Sequence, residues 1–244
     1  MPKNKKTPGP IPQEALDYFE AKDYQIGFDY RDVWKEEHVA AFTVAKVMRE
    51  NILEAISEEL DNSIQNGTTL KEFQENLTPF LQKKGWWGAK KMVDPKTGDV
   101  VKAQLGSPAR LKLIYETNMN VAHSAGQWQR IERNIDVTPN LIYGLGPSKV
   151  HREVHVSWNG TILPATDPFW NTHFVPNGYG CLCTIRALTA SQTEGLGGIT
   201  ARPDTTRIPW ENKRTGEIEY VPIGIQPGWD YNPGKERLKN LDSK

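Results

Sequence analysis

The sequence predicts an α+β protein: an N-terminal helical layer and a central long helix, with a small irregular β-containing C-terminal part packed on them. Three observations carry that expectation. Ile52, Ile56, Leu60 and Ile64 recur every fourth position, a helical stripe. Ser107-Pro108 opens a second long periodic segment with a cap residue and a first-turn proline. After Thr138-Pro139 the apolar runs shorten and are separated by Gly and Pro. At roughly 150 residues per domain, the 244 residues leave room for one domain with an appendage or two small ones. Hydrophobic residues make up 37% of the chain, so a modest core is expected.

In chain order, residues 1–12 carry Lys3, Lys5 and Lys6 among four prolines and read as a flexible basic arm. A short helix follows from Gln13 to Lys22, with Ala15, Leu16 and Phe19 on one side. The longest periodic segment runs from about Asp29 to Asn66, takes in Val33, Trp34, Phe42 and Val47, and ends at Gly67 as a left-handed cap. Thr69 and Glu72 have capping-box spacing and open a helix with Leu70, Phe73, Leu77 and Leu81, near whose end Pro79 should introduce a kink. Lys91 to Val93 and Val100 to Lys102 flank a Pro/Gly turn and predict a hairpin within 88–105. The central helix runs from Ser107 to about Asn134, and Ala122, Ala125 and Gly126 give it a small-residue face that another element can approach closely. These elements make residues 13–138 a mainly helical domain. Residues 139–234 form the β-rich part, with strands at Leu141 to Leu145, Thr161 to Leu163 and Gly180 to Leu188 and a hairpin between Trp210 and Val221. Its many Trp and Pro point to loops pinned by aromatic side chains. Residues 235–244 are a charged tail.

Thirty basic residues cancel thirty acidic ones, so whole-molecule electrostatics cannot hold a polyanion. The one basic patch is local: Lys83, Lys84, Lys90, Lys91, Lys96, Lys102, Arg110 and Lys112 are offset only by Asp94 and Asp99. Lys83, Lys84, Lys90 and Lys91 beside Trp86 and Trp87, together with Arg152, are the candidate nucleic-acid or partner contacts, since cations meet phosphates and indoles stack on bases. The bland alternative is that lysines on a hairpin protect its edge. No window approaches the ~18 apolar residues of a membrane span, and no apolar run follows the basic amino terminus. Neither a membrane partner nor the usual secretion signal is therefore expected.

The chemically suggestive residues lie between His151 and Cys183. His151 and His155 are four apart, which on a helix puts both rings on one face, and Cys181 and Cys183 on a strand point to one side. With His173 between the pairs, this donor set suits a structural zinc ion, which would help a small core. The competing reading is that the thiols pack as small apolar groups and the histidines bond locally. A disulfide two residues apart would distort the backbone, so reduced thiols are expected. No cofactor other than such a zinc is implied. A catalytic reading takes His155, Asn171 and His173 as base, orienting amide and ligand of a metal-dependent HNH-like endonuclease. No Gly-rich phosphate loop, G-x-S-x-G or H-E-x-x-H occurs, and carboxylate pairs such as Glu36/Glu37 and Glu58/Glu59 read as solvated helix faces.

Read together, Asp32-Val33-Trp34-Lys35-Glu36-Glu37-His38, Phe42-Thr43-Val44-Ala45-Lys46 and Gly85-Trp86-Trp87-Gly88 resemble the phage Mu F-like, or head morphogenesis, family of tailed-phage minor head proteins. The helix from Tyr115 through Trp128 resembles that family's central helix, and Arg152 to His155 precedes Trp158-Asn159-Gly160 as it does there. The most specific block is Asp167-Pro168-Phe169-Trp170-Asn171-Thr172-His173 followed by Pro176-Asn177-Gly178-Tyr179-Gly180-Cys181-Leu182-Cys183. The resemblance spans about Gln13 to Gly234. It implies a non-enzymatic structural protein, made in the host cytoplasm and incorporated in few copies into the virion near the portal, where it assists head assembly. Its implied partners are the portal protein, scaffold or major capsid protein, and packaged DNA. Two departures stand out: family members often carry Arg-Pro-Glu-His where this chain has Arg152-Glu153-Val154-His155, and an Arg where it has Leu182. Longer relatives append toxin- or nuclease-like modules after the position of Gly234, and none is expected here.

Overall fold

The computed structural model of the chain describes residues 12–242. The basic arm of residues 1–12 therefore lies, Pro12 apart, outside the described residues. The elements follow in the order α1 (Gln13–Glu20), β1 (Asp23–Tyr24), α2 (Glu37–Ala40), β2 (Ala41–Phe42), α3 (Glu50–Asn66), α4 (Leu70–Lys83), β3 (Ala89–Val93), β4 (Val100–Gln104) and α5 (Pro108–Arg133). The second half adds β5 (Asn140–Gly144), α6 (Glu153–Trp158), β6 (Ile162–Pro164), α7 (Phe169–Thr172), β7 (Thr184–Leu188), α8 (Ala190–Gly195), β8 (Arg207–Asn212), β9 (Glu217–Pro222) and α9 (Pro233–Asp242). Helices and small sheets thus make an α+β fold, as the sequence predicts.

The helical layer forms where its stop and start signals say it should. All four residues of the Ile52, Ile56, Leu60, Ile64 stripe are buried, and Gly67 closes α3 in the left-handed region at φ 66°. Thr69 then caps α4 reciprocally: its hydroxyl accepts from the Glu72 amide and the Glu72 carboxylate accepts from the Thr69 amide at 2.9 Å. Pro79 lies inside α4, and the helix runs on to Lys83 without breaking there. Near the last turn the proline removes only one intrahelical bond. Ser107 caps α5 by accepting from the Arg110 amide at 3.2 Å. α1 lies across the small-residue face of α5, where a side chain on Gly126 would come within 3.0 Å of the Ala15 nitrogen.

The segment from Asp29 to Met48 differs from the continuous helix expected of it. The Asp32 carboxylate accepts from the amides of Phe28 and Asp29 at 3.0 and 2.8 Å, and Lys35 and Lys46 take positive φ. Side-chain bonds to the backbone of this kind compete with a helix and leave only the single turn of α2. Val33, Phe42 and Val47 are buried all the same, from loops and a two-residue strand.

Beyond α5, the strands form a three-stranded antiparallel sheet in the order β6-β5-β7, with Asn140 opposite both Pro164 and Leu188. β3 pairs with β4 and β8 with β9 as antiparallel hairpins. The described part of the charged tail lies in α9, which packs on α5: Gly234 sits so close to Trp128 that a Cβ there would meet it at 2.3 Å. One apolar cluster runs through both halves, from Leu16 and Leu53 to Trp158, Phe174 and Tyr231. Aromatic contacts pin the late loops. Trp34 stacks on Trp210 at 5.4 Å and donates its indole N–H to Glu219, and Trp229 meets Tyr179 edge to face at 4.9 Å. Among the described residues no helix is long and apolar enough to cross a membrane.

Candidate functional site

Three of the residues singled out by their chemistry converge. Donor atoms of buried His155 and Cys181 and of partly buried Cys183 lie within 4.8 Å of one another. His155 is on α6, where its ring stacks on Trp158 at 4.8 Å between centroids. Its Nε2 donates to the Gly224 carbonyl at 2.9 Å, because a carbonyl can only accept. That bond fixes the tautomer, so Nδ1 presents a lone pair to the sulfurs, 3.5 Å from Cys183 Sγ and 3.9 Å from Cys181 Sγ.

The cysteines sit in a loop before β7 rather than on the strand expected from Gly180 to Leu188. Glycines shape that loop: Gly180 takes φ 69°, and the Cys181 amide donates back to the Gly178 carbonyl at 3.2 Å. On the other side, Gly146 lets the loop pass. A Cβ on it would lie 1.5 Å from the Leu182 carbonyl oxygen. Gly224, at φ 82°, approaches α6 so closely that a Cβ would meet Val154 and Trp158 at 2.6 and 2.7 Å, which is how its carbonyl reaches His155.

The floor of the site is a buried polar network. Tyr143 on β5 donates to Asn177 Oδ1 at 2.9 Å, with both residues fully buried. The Asn177 carbonyl accepts from the Gln226 amide at 3.0 Å, and Gln226 Oε1 accepts from the Tyr179 amide at 2.9 Å. The neighbouring Cys183 lowers the Cys181 thiol from its usual range, and Cys181 raises Cys183 in turn. Burial likewise raises the Tyr143 phenol.

His173 and His151 stand differently from the arrangement expected. His173 is fully buried, stacks on Phe169 at 4.2 Å, meets Trp158 edge to face at 5.0 Å, and bonds Thr172 Oγ1 through Nδ1. Desolvation lowers its pKa to about 4, so it is neutral at pH 7. It is an aromatic-core residue set apart from the thiols. His151 precedes α6, which starts at Glu153, so it shares no helix turn with His155. It lines the same hollow of about 290 Å³ as His155, Cys181 and Cys183. Of the His155, Asn171, His173 series, both histidines flank Trp158, Asn171 Oδ1 accepts from Lys235 Nζ at 2.6 Å, and His173 has no contact with solvent.

The basic patch is partly rearranged. Trp86 is buried and donates its indole N–H to the Lys46 carbonyl at 3.0 Å, while the Arg110 guanidinium lies 5.5 Å from its ring. Trp87 packs over Gly106, where a Cβ would meet its ring at 2.5 Å. The Trp86 indole is thus a packing group, whereas Trp87 is only partly buried. Lys84 lies over the Phe80 ring. Lys83, Lys90 and Lys91 are exposed, Lys90 donating to the Gly85 carbonyl at 2.7 Å, and exposed Arg152 donates to the Tyr179 carbonyl at 3.1 Å. Lys91 and Lys102 are directly opposed across β3 and β4, with Val93 and Val100, 60% and 66% exposed, opposed next to the turn.

Sequence reasoning missed Tyr143, Asn177, Gly146, Gly224 and Arg214. The Arg214 fork, in the β8–β9 turn, donates to Asp32 at 2.8 and 3.1 Å and also to Asp94.

Comparison with known proteins adds a lineage to this geometry. Residues 54–186 match the family described as Phage Mu protein F like protein. The chain is 34% identical over 238 residues to the putative capsid assembly protein F of Escherichia phage Mu, an alignment covering 91% of this chain and 54% of that one. It is 35% identical over 227 residues to the Mu-like prophage FluMu F protein of Haemophilus influenzae, covering 86% of this chain and 53% of that protein. The chain therefore spans about half the length of the curated relatives it matches. No solved structure matches it significantly.

Proposed function

We propose, from the premise that this chain belongs to the Phage Mu protein F like family, that it is a structural minor component of a tailed-phage or prophage head and assists capsid assembly near the portal. The observation that carries this reading is the identity of 34% to a protein named for capsid assembly, sustained over 91% of the chain rather than confined to one motif. The fold is consistent with an assembly part. The most specific sequence block, from Asp167 to Cys183, supplies packing: Phe169, Trp170, Phe174 and Val175 are all buried. Asp167 caps the Phe169 amide at 2.8 Å and pairs with Arg202 at 2.8 Å, and the Trp170 indole donates to the Pro164 carbonyl at 2.9 Å.

The β3–β4 hairpin is the element proposed to meet a head protein. Its exposed lysines and valines suit an acidic surface with an apolar centre, such as a portal, scaffold or major capsid protein can offer. Like charges opposed at Lys91 and Lys102 repel in the free protein, and an acidic partner relieves that cost.

Co-expression with the portal and major capsid proteins encoded alongside, followed by gradient sedimentation, tests the reading. The chain should travel with head-sized particles, and the double variant Lys91→Glu/Lys102→Glu should travel less. Sedimentation only as free protein, with particle yield and shape unchanged by its presence, contradicts the proposal.

A further inference from the structure

We infer that His155 Nδ1 and the Cys181 and Cys183 thiolates form a binding site for a borderline-soft divalent cation of the zinc class, one that fastens the C-terminal loops to α6. This inference is independent of the head-assembly reading.

Geometry comes first. Tetrahedral zinc, with Zn–S about 2.3 Å and Zn–N about 2.1 Å, sets N···S separations of about 3.6 Å. The two observed separations are 3.5 and 3.9 Å, and all three donor atoms lie within 4.8 Å. Both sulfurs approach the one in-plane lone pair of Nδ1, an arrangement that a single cation held between the three donors accounts for.

The outer contacts are those of a metal-binding histidine. The ring N–H away from the sulfurs is held by a backbone carbonyl, which fixes the tautomer and raises the basicity of the ligating nitrogen. That carbonyl belongs to Gly224, and the Leu182 carbonyl is accommodated by Gly146, so two glycines hold the donor set from outside it. Their side chains are absent where a Cβ would collide, and this keeps the loop within reach of the imidazole.

Soft sulfur and imidazole donors together select zinc-class ions over magnesium or calcium, which take oxygen. Two thiolates and a neutral imidazole around a divalent ion sum to zero charge, a species that tolerates burial. The hollow of about 290 Å³ lined by the three donors and by His151 leaves room for a fourth ligand. The ion would link residue 155 to residues 181–183 and, through Gly224, brace the loop after β9. Its role is therefore a crosslink in the part of the chain with the least regular structure.

The test uses the full chain without a histidine tag, purified under reducing conditions from zinc-supplemented cells. Elemental analysis should find about one zinc per chain. The apo protein should take up Co²⁺ with thiolate-to-cobalt charge-transfer absorption, and Zn²⁺ should raise its Tm and protect both thiols from a disulfide reagent. Cys183→Ser and His155→Ala should each abolish the charge-transfer band. If those variants fail to fold, the wild-type cobalt spectrum and thiol protection decide alone. Zinc-free protein whose thiols react equally fast with and without Zn²⁺, or a Cys181–Cys183 disulfide in natively isolated chain, would overturn the inference.

Discussion

Arg214 and Asp32, far apart in the chain, are joined by two hydrogen bonds of 2.8 and 3.1 Å. The same guanidinium also holds Asp94, so one fork ties the β8–β9 turn to the loop before α2 and to the β3–β4 turn. Both carboxylates are held below the usual range by it, and the Arg214 pKa is raised in return. Arg214→Met should lower the Tm by several degrees, since it strands two carboxylates that were built to be paired. Arg214→Lys should recover only part of the loss, because an ammonium cannot bridge in two directions as the fork does. An unchanged melting curve for Arg214→Met would show that the clamp contributes nothing to stability.

Gly126 decides how closely α1 approaches α5. The Cβ of alanine there would lie 3.0 Å from the Ala15 nitrogen and 3.2 Å from Glu14 Cβ. Helix propensity favours alanine over glycine by about 1 kcal/mol, which offsets the tight contact, so Gly126→Ala should be near neutral. Gly126→Leu has no such compensation and should cost about 2 to 3 kcal/mol in chemical denaturation by overpacking. Equal stability of the two variants would mean that α1 is free to move away.

Stability should fall as pH drops below neutrality. Burial holds His173 at about 4 in the fold, against 6.5 for the unperturbed group, and His38 shifts the same way. Between these values the unfolded chain binds protons that the folded chain does not, so stability is lost as pH falls through about 6.5 toward 4. His173 alone accounts for on the order of 3 kcal/mol at full effect. Asp29 and Asp32, depressed in the fold, add a separate loss only below the ordinary carboxylate range. Urea midpoints measured from pH 7 to pH 4 should show this slope, reduced in His173→Gln. A variant slope matching the wild type would remove His173 from the account.

Gly146→Ala probes the cysteine loop from outside. With a Cβ 1.5 Å from the Leu182 carbonyl oxygen, the loop must shift whatever else binds there. A loss of about 2 kcal/mol or more is expected, with both thiols reacting faster than in the wild type. Thiol kinetics indistinguishable from the wild type would show that the loop has room to relax.

Local signals were legible and long-range ones were not. The α3 stripe, its Gly67 cap and the Thr69/Glu72 box rest on residues within one or two turns of each other, so spacing alone exposes them. The small face of α5 was legible as a docking face, though not which helix fills it. The stretch from Asp29 to Met48 misled because Val33, Phe42 and Val47 are buried without being helical. The Asp32 bonds that reshape it leave no periodic trace. At the site, the residue types His155, Cys181 and Cys183 were visible, whereas His173 shares their chemistry and is separated only by its aromatic neighbours Phe169 and Trp158. Gly146, Gly224 and Arg214 act through contacts across dozens of residues, and nothing in their own neighbourhoods marks them.

The central claim is that this chain is a part of the head. It is tested most directly by quantitative mass spectrometry of purified virions or induced prophage particles. The chain should be present in every preparation, at low copy relative to the major capsid protein and retained through a high-salt wash. Absence of its peptides from virions and from immature heads alike would contradict it.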